Sequence, residues 1–541
     1  LEANILTVLA VLVAGFTLLS EEKRIDLKLR ISKIDIFGLA IIFISILYMV
    51  YLPLLKEISL IIPLPWLPGF DANLATFSFI FIIICYFLIK VNGTKLPKTR
   101  INSWSLTSEQ LLRTHKFDQL SFLLNKYHAQ FLKADNENSL EKIRLKLLKA
   151  SNPPSQDLLG KLKQLQAKRG NSNGQSDVKS KPEINLKDKV KQAIAKNLLT
   201  FLPKTRRYRN EARESLSKLL KSKPFVQHLT ISYPLLCAKF TTSRFNGDEE
   251  FTTNYLTELI SNQQSSLYRE LKDNQNCSYT GEYYIDESNQ LLSFYFMDIK
   301  TASDTSIWKP VGDYTTNFIK KQRGTNNFYN SSYDYSYEDD KWQCPIYITI
   351  CLFKVMVSKA IFDRHQDHMW LMYIEFFIDE ILANYEPKPL IDLEREFPTH
   401  FDFLIYFAIS TCCDWARTPV YLTNINNVAE SDKKGYPEYW ASKTLGQILR
   451  KVILSSKQTD TQCIYYLEMV VRLVNELDQS NHKDYSKLIM NALLKQYDYS
   501  QPDKLFVTKL ENYYQQIDHV LRKSSSTFAT LLKQAKVGKM M

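Results

Sequence analysis

Glycine is scarce in this sequence. The 541-residue chain contains 14, against roughly 7% in an average protein. No two glycines stand at GxGxxG spacing, and none precedes Lys-Ser/Thr as in a phosphate loop. Such loops work by aiming successive backbone N–H groups at phosphate, which requires those glycines. A Walker-type NTPase and a Rossmann dinucleotide site are therefore excluded. There is also no GxSxG elbow, no HExxH helix and no EF-hand loop. The eight cysteines form no CxxC pair, and two of them, Cys412 and Cys413, are adjacent. Free thiols in a reducing compartment are the simple reading. No cofactor and no metal site is expected.

Apolar residues, in contrast, are abundant and unevenly spread. Hydrophobic residues make up 45% of the chain. Three apolar runs crowd the start: Ala3–Leu19, Ile36–Leu55 and Leu74–Val91. Crossing ~30 Å of hydrocarbon takes about 20 helical residues, with a usual range of roughly 17–25. All three runs reach that length. The first lacks the marks of a cleaved signal peptide. It starts Leu1-Glu2-Ala3-Asn4 with no Lys or Arg and ends on Ser20-Glu21-Glu22. The expectation is three uncleaved spans. Lys23, Arg24, Lys28, Arg30 and Lys33 follow the first run, and Lys95, Lys98 and Arg100 follow the third. Basic loops stay inside. This orientation puts the N-terminus outside an inner or plasma membrane and the bulk of the chain in the cytoplasm.

Beyond this anchor (residues 1–100), helical periodicity dominates. Phe117, Leu120, Leu124 and Tyr127 share one helix face. Thr107 and Gln110 have capping-box spacing. A juxtamembrane helical hairpin is expected over 101–150. Residues 151–187 open Ser-Asn-Pro-Pro and carry Gly, Ser and Asn, the composition of a flexible linker. A mainly helical cytoplasmic domain is expected over 188–541. Two features interrupt it. Ser278–Ile285 and Leu291–Met297 read as the strands of a small β-hairpin near 278–297. Residues 324–340, rich in Asn, Tyr, Ser and Asp, read as a long surface loop. The fold class is thus mainly α: three N-terminal transmembrane helices and a helical cytoplasmic region with one β-hairpin insertion.

Few residues suggest chemistry. Asp363-Arg364-His365-Gln366-Asp367-His368 is the densest polar cluster. If one helix continues through it, His365, His368, Glu375 and Asp379 lie along one stripe. Two histidines and two carboxylates are what a hydrolase or nuclease needs for acid–base work. The competing reading is a solvated face, because Leu371, Ile374, Phe377, Ile378 and Ile381 fill the opposite arc. Four helical turns separate His365 from Asp379, too far to share one ion. Glu394, Glu396 and His400 read as a charged turn ended by Pro398. Cys412 and Cys413, among Phe and Ile, read as buried structural thiols rather than a nucleophile.

Charge is concentrated. Between Glu141 and Lys223 stand 22 Lys/Arg and 7 Asp/Glu, a net of +15 in a chain of net +12. The remainder is therefore near neutral, at −3. Lys187, Lys189, Lys191, Lys196, Lys204, Arg206, Arg207 and Arg209 form its core, with Tyr208 among them. Anionic lipid headgroups attract such segments by about 1 kcal/mol per basic residue. Nucleic acid is the other polyanion that fits, through phosphate neutralisation, with one aromatic to stack. A solvated basic linker is the neutral alternative.

Together these features favour a membrane-anchored interaction, sensing or scaffold protein at the cytoplasmic face, with protein partners or a homo-oligomer. One alternative is an oligomeric channel or membrane-disrupting effector gated by the cytoplasmic domain, an organisation that bacterial defence effectors share. The other is the His/carboxylate hydrolase.

Overall fold

The structure is a computed structural model. It describes residues 16–58, 72–136, 205–243, 249–275, 277–324, 326–333, 340–388, 391–422, 430–495 and 500–538. The chain is mainly helical and has no strand among the described residues. It divides into two units, Leu1–Phe225 and Val226–Met541. That boundary falls inside the helix Lys223–Ser232, well past the linker expected at 151–187, which lies outside the described residues.

In the N-terminal unit, two helices lack an amphipathic pattern. They are Lys33–Val50 and Ala72–Asn92, and they pack on each other. The first begins with a capping box, in which Ser32 and Asp35 exchange side chain-to-backbone bonds. That cap fixes its start because the first N–H groups of a helix have no internal partner. Most of the first apolar run, Ala3–Leu19, lies outside the described residues. Two further helices, Ile101–Arg113 and Phe117–Asn136, form a hairpin. His115 makes the turn in the left-handed region (φ 55°). Trp104, Leu111, Leu120, Leu124, Tyr127 and Phe131 are buried. Thr107 and Gln110 do not cap anything: the helix starts six residues earlier, after the Pro97–Arg100 turn. The helix Thr205–Leu220 packs on Ile101–Arg113, where Ser215 donates to Ser105 Oγ at 2.7 Å.

A buried ionic node ties the short helix Glu21–Arg30 to these elements. Asp26 and Arg30 are 1% and 3% exposed and pair with each other. Arg30 also donates to the carbonyls of Val91, at 2.9 Å, and Gly93. Asp26 accepts further bonds from Tyr127 Oη and, at 2.8 Å, from Lys126 Nζ. A Cβ at Gly93 would crowd the Arg30 guanidinium, which would have to shift.

The C-terminal unit is built around the helix Pro345–Phe362. Among the described residues it is the one unbroken helix long and apolar enough to cross a membrane, yet 83% of it is buried. Its apolar residues run all round because other helices cover every side. Helices Trp308–Lys320, His400–Arg417, Pro437–Leu454 and Glu249–Ser261 form much of the surrounding shell, and Phe377 of Met372–Asn384 stacks on Phe353.

One expectation is corrected here and another is refined. The β-hairpin near 278–297 does not form. A single antiparallel bridge joins Cys277 and Tyr283, and Gln290–Phe296 is a helix. The cause is a distant cap: buried Glu270 accepts from the N–H groups of Leu291 and Leu292, both at 2.9 Å. A helix start satisfied by a carboxylate outweighs the strand preference of a Phe/Tyr run. Residues 324–340 are only partly at the surface where they are described: Asn326, Phe328, Ser332 and Asp340 are exposed, but the segment is anchored. Phe328–Asn330 forms a 3-10 turn, and Tyr329, Asn330 and Tyr333 are buried. Asn330 holds the chain by donating to Asn384 O at 2.9 Å and accepting from Glu386 N at 2.9 Å. Residues 325 and 334–339 lie outside the described residues.

The tightest helix contact is between Pro437–Leu454 and Lys483–Leu494. Gly446 permits it: a Cβ there would collide with the Ile489 carbonyl oxygen and reach Ala492 Cβ at 2.8 Å. Gly446→Ala is expected to lower stability by ~1–3 kcal/mol through overpacking, despite the ~1 kcal/mol that alanine contributes to helix propensity. Urea denaturation of the variant measures this, and an unchanged or raised midpoint contradicts the close approach.

Candidate functional site

The His/carboxylate stripe is not assembled. The helix that begins at Pro345 ends at Phe362, and the next starts at Met372. Between them Arg364, Met369 and Trp370 adopt left-handed backbone (φ 53°, 49° and 53°). Arg364 is drawn away to buried Glu438, at 2.7 Å, and its guanidinium lies 4.0 Å over the Tyr436 ring. Asp367 accepts from Met369 N at 3.1 Å and from Ser303 Oγ at 2.9 Å. His368 stacks on Trp440, with centroids 5.0 Å apart, and burial lowers its imidazole pKa. His365 keeps a buried Nε2 with no hydrogen-bond partner among the described residues. Glu375 and Asp379 do share a helix, but both bind Lys451 Nζ, at 2.7 and 2.5 Å. A carboxylate pair bridged by one lysine is a clasp between helices. The apolar arc Leu371, Ile374, Phe377, Ile378 and Ile381 is buried, as the solvated-face reading requires.

Other candidates also resolve into structure. Cys412 and Cys413 are buried, and burial pushes the Cys413 thiol up to about 12 and the Cys412 thiol upward as well. A thiol held protonated is a poor nucleophile. Glu394 accepts from Thr461 Oγ1 at 2.9 Å. His400 packs against Phe328, with centroids 4.2 Å apart, and burial lowers its pKa. The aromatic pocket beside His400, lined by Tyr329, Tyr333, Tyr347 and Phe403, encloses about 30 Å³, room for a water and nothing larger. Among the described residues no group of three or more His, Cys, Asp and Glu side chains is placed to hold a metal ion.

Of the basic segment, Lys187, Lys189, Lys191, Lys196 and Lys204 lie outside the described residues. Arg206, Arg207 and Arg209 fall at the start of the helix Thr205–Leu220.

Sequence reasoning missed a different basic site. A cleft of about 260 Å³ in the C-terminal unit is lined by Lys433, Lys434, Tyr439, Asp484, Tyr485, Lys487, Leu488 and Asn491. Its walls are the short helix Glu430–Lys433, the first turn of Pro437–Leu454 and the helix Lys483–Leu494. The last two helices run parallel: Arg450 donates to the carbonyls of Leu493 and Leu494, and Lys433 pairs with Asp484 near the other end. Both therefore start beside the cleft, where the partial positive charge of a helix resides. Lys433 binds Asp484 at 2.8 Å, and this bond lowers the Asp484 carboxyl pKa. Tyr485 is buried beneath, with Lys433 5.8 Å over its ring. Lys434 and Lys487 are exposed and enter no ion pair among the described residues. Lys487 also acts on Asp484 through space, so three lysines and one acid leave the lining with a net charge of +2. The sequence signal was slight: a Lys433-Lys434 pair and Lys487, some fifty residues apart.

No protein-family model, no curated protein and no solved structure matches this chain.

Proposed function

We propose that this chain is a membrane-anchored protein whose C-terminal helical unit serves as an interaction or sensing module at the inner face of the membrane. One observation carries the reading. The paired helices Lys33–Val50 and Ala72–Asn92 turn large apolar side chains outward, among them Ile36, Phe37, Ile44, Phe77, Phe81 and Ile89, each about half exposed or more. A contiguous apolar surface of this kind is unfavourable in water and stable in lipid. Two further details fit. Ser45 and Ser78 turn their hydroxyls onto their own helix, to Ile41 O at 2.9 Å and Leu74 O at 2.8 Å, as polar groups do where no water reaches. Lys90 is neutralised by Asp35 at 2.9 Å. The same inward-turned hydroxyls leave little to line a water-filled pore, so nothing specific favours the channel reading.

Cytoplasmic placement of the C-terminal unit is part of the proposal. Its support is the basic flanks of the apolar runs and eight unpaired cysteines. The basic segment then lies within reach of anionic headgroups, and protein or homo-oligomeric partners are the natural clients of the helical unit. Nucleic acid stays the weaker alternative for the same charge.

Alkaline carbonate extraction of membranes tests the anchor. The full chain is expected to stay in the pellet, and release into the supernatant contradicts it. A membrane-impermeant maleimide tests orientation through Cys277, which is exposed. It is expected to react only after permeabilisation, and labelling on sealed cells reverses the topology.

A further inference from the structure

We infer that the lysine-lined cleft of the C-terminal unit is a binding site for a small phosphomonoester. The inference stands on the cleft alone and does not depend on the membrane reading. Charge comes first. Lys433, Lys434 and Lys487 face one acid, Asp484, which Lys433 already occupies at 2.8 Å. The two remaining ammonium groups match the roughly −1.5 to −2 charge of a phosphomonoester near neutral pH. A carboxylate would leave one lysine uncompensated, and a neutral ligand would leave both.

Chemistry beyond charge agrees. Lysine offers three rotatable donors as a point charge, and it is a regular partner of phosphate, as arginine is. No arginine lines the cleft. Asn491 adds an amide, and Tyr439 and Leu488 supply an apolar wall for the body of the ligand. The helix starts at Pro437 and Lys483 reinforce the positive potential. Size sets the upper bound. The cleft is about 260 Å³, just under the roughly 300–1,000 Å³ of sites for drug-sized ligands. A glycerol or sugar phosphate fits this description, as does the headgroup of a phosphomonoester lipid. Lys433 plays a separate part. Held by Asp484 and the Tyr485 ring, it is a pre-positioned wall, while Lys434 and Lys487 do the recognising.

The test uses the purified full chain and three probes: inorganic phosphate, glycerol 3-phosphate, and phosphatidylcholine vesicles with or without phosphatidic acid, which carries the same phosphomonoester on a lipid. Titration calorimetry or a thermal shift reads binding. Saturable binding of glycerol 3-phosphate assigns a soluble ligand. Binding of phosphatidic acid vesicles alone assigns a headgroup. Both support the site, provided that K434Q/K487Q weakens binding at least about tenfold, the scale of losing a charge-assisted hydrogen bond. K434R/K487R is expected to keep most of the affinity. Both lysines are exposed, so circular dichroism of the variants should match the parent. No saturable response to any probe, or equal binding by K434Q/K487Q, overturns the inference.

Discussion

Asp402→Ala is expected to lower the stability of the C-terminal unit by about 4 kcal/mol, because it removes one acceptor from five buried donors at once. Asp402 is fully buried. Its Oδ2 accepts from Thr399 N at 2.9 Å, Thr399 Oγ1 at 2.7 Å and Tyr385 Oη at 2.8 Å. Its Oδ1 accepts from the Gln458 and Gln462 amides, both at 3.2 Å. The side chain thereby joins the start of the helix His400–Arg417, the end of Met372–Asn384 and the start of Asp460–Gln479. Alanine strands those donors in the core, and the cap of His400–Arg417 goes with them. Asp402→Asn should cost less, about 1–3 kcal/mol, since its amide keeps one acceptor oxygen but turns an N–H₂ toward another donor.

The same residue gives a pH signature. Burial raises the Asp402 carboxyl pKa above its ordinary 3.8, against the opposing pull of its hydrogen bonds. Between the unfolded and folded pKa values the native state binds the extra proton. Stability from this group is therefore complete below 3.8 and declines as pH rises through the folded pKa. Urea denaturation across that window should show the slope in the parent and lose it in Asp402→Asn. A variant with the parent's slope and midpoint would falsify the role assigned to this carboxylate.

Arg30→Ala should be comparably severe in the N-terminal unit, at ~3–5 kcal/mol, the usual cost of breaking a buried ion pair from one side. The arginine's charge is matched by Asp26, and its two terminal amino groups also donate to the carbonyls of Val91 and Gly93, while Nε has no partner among the described residues. Alanine leaves the carbonyls unpaired and Asp26 with only Tyr127 and the partly exposed Lys126. Arg30→Lys should rescue little, because one ammonium cannot span two carbonyls and a carboxylate as a guanidinium does. Asp26→Leu with Arg30→Met should be milder than either single change, since an apolar pair of similar volume carries no desolvation penalty. A double-mutant cycle by thermal unfolding measures the coupling. Additive single effects, within ~0.5 kcal/mol, would show that the two side chains do not act as a pair.

Much of the helical architecture was readable in advance. Leu120, Leu124 and Tyr127 fall on one face of a helix by spacing, and that face is buried. The arc from Leu371 to Ile381 was identified the same way. Spacing is reliable here because it reports neighbours three and four residues apart, which local geometry alone brings together. The failures share a different cause. Leu291–Met297 looked like a strand because Glu270, which caps it as a helix, lies some twenty residues upstream. His365 and His368 looked aligned with Glu375 because nothing nearby breaks the helix. The chain leaves it at Arg364, whose partner Glu438 is 74 residues on. Asp402 could have been found: Thr399-x-x-Asp402 after Pro398 has the spacing of a capping box. The sequence gives no sign, however, that four other donors converge on it.

By itself the sequence determined that this is a helical protein with an apolar start, a strongly basic middle and no phosphate-loop motif. Those properties follow from composition and short-range periodicity, so no folded structure is needed to state them. Only the tertiary structure decided which charges meet. Asp26 finds Lys126 across 100 residues, Glu375 and Asp379 share Lys451, and Lys434 and Lys487 come to line one cleft. Coulomb and hydrogen-bond energies depend on distance in space, and distance along the chain carries almost no information about it once helices pack.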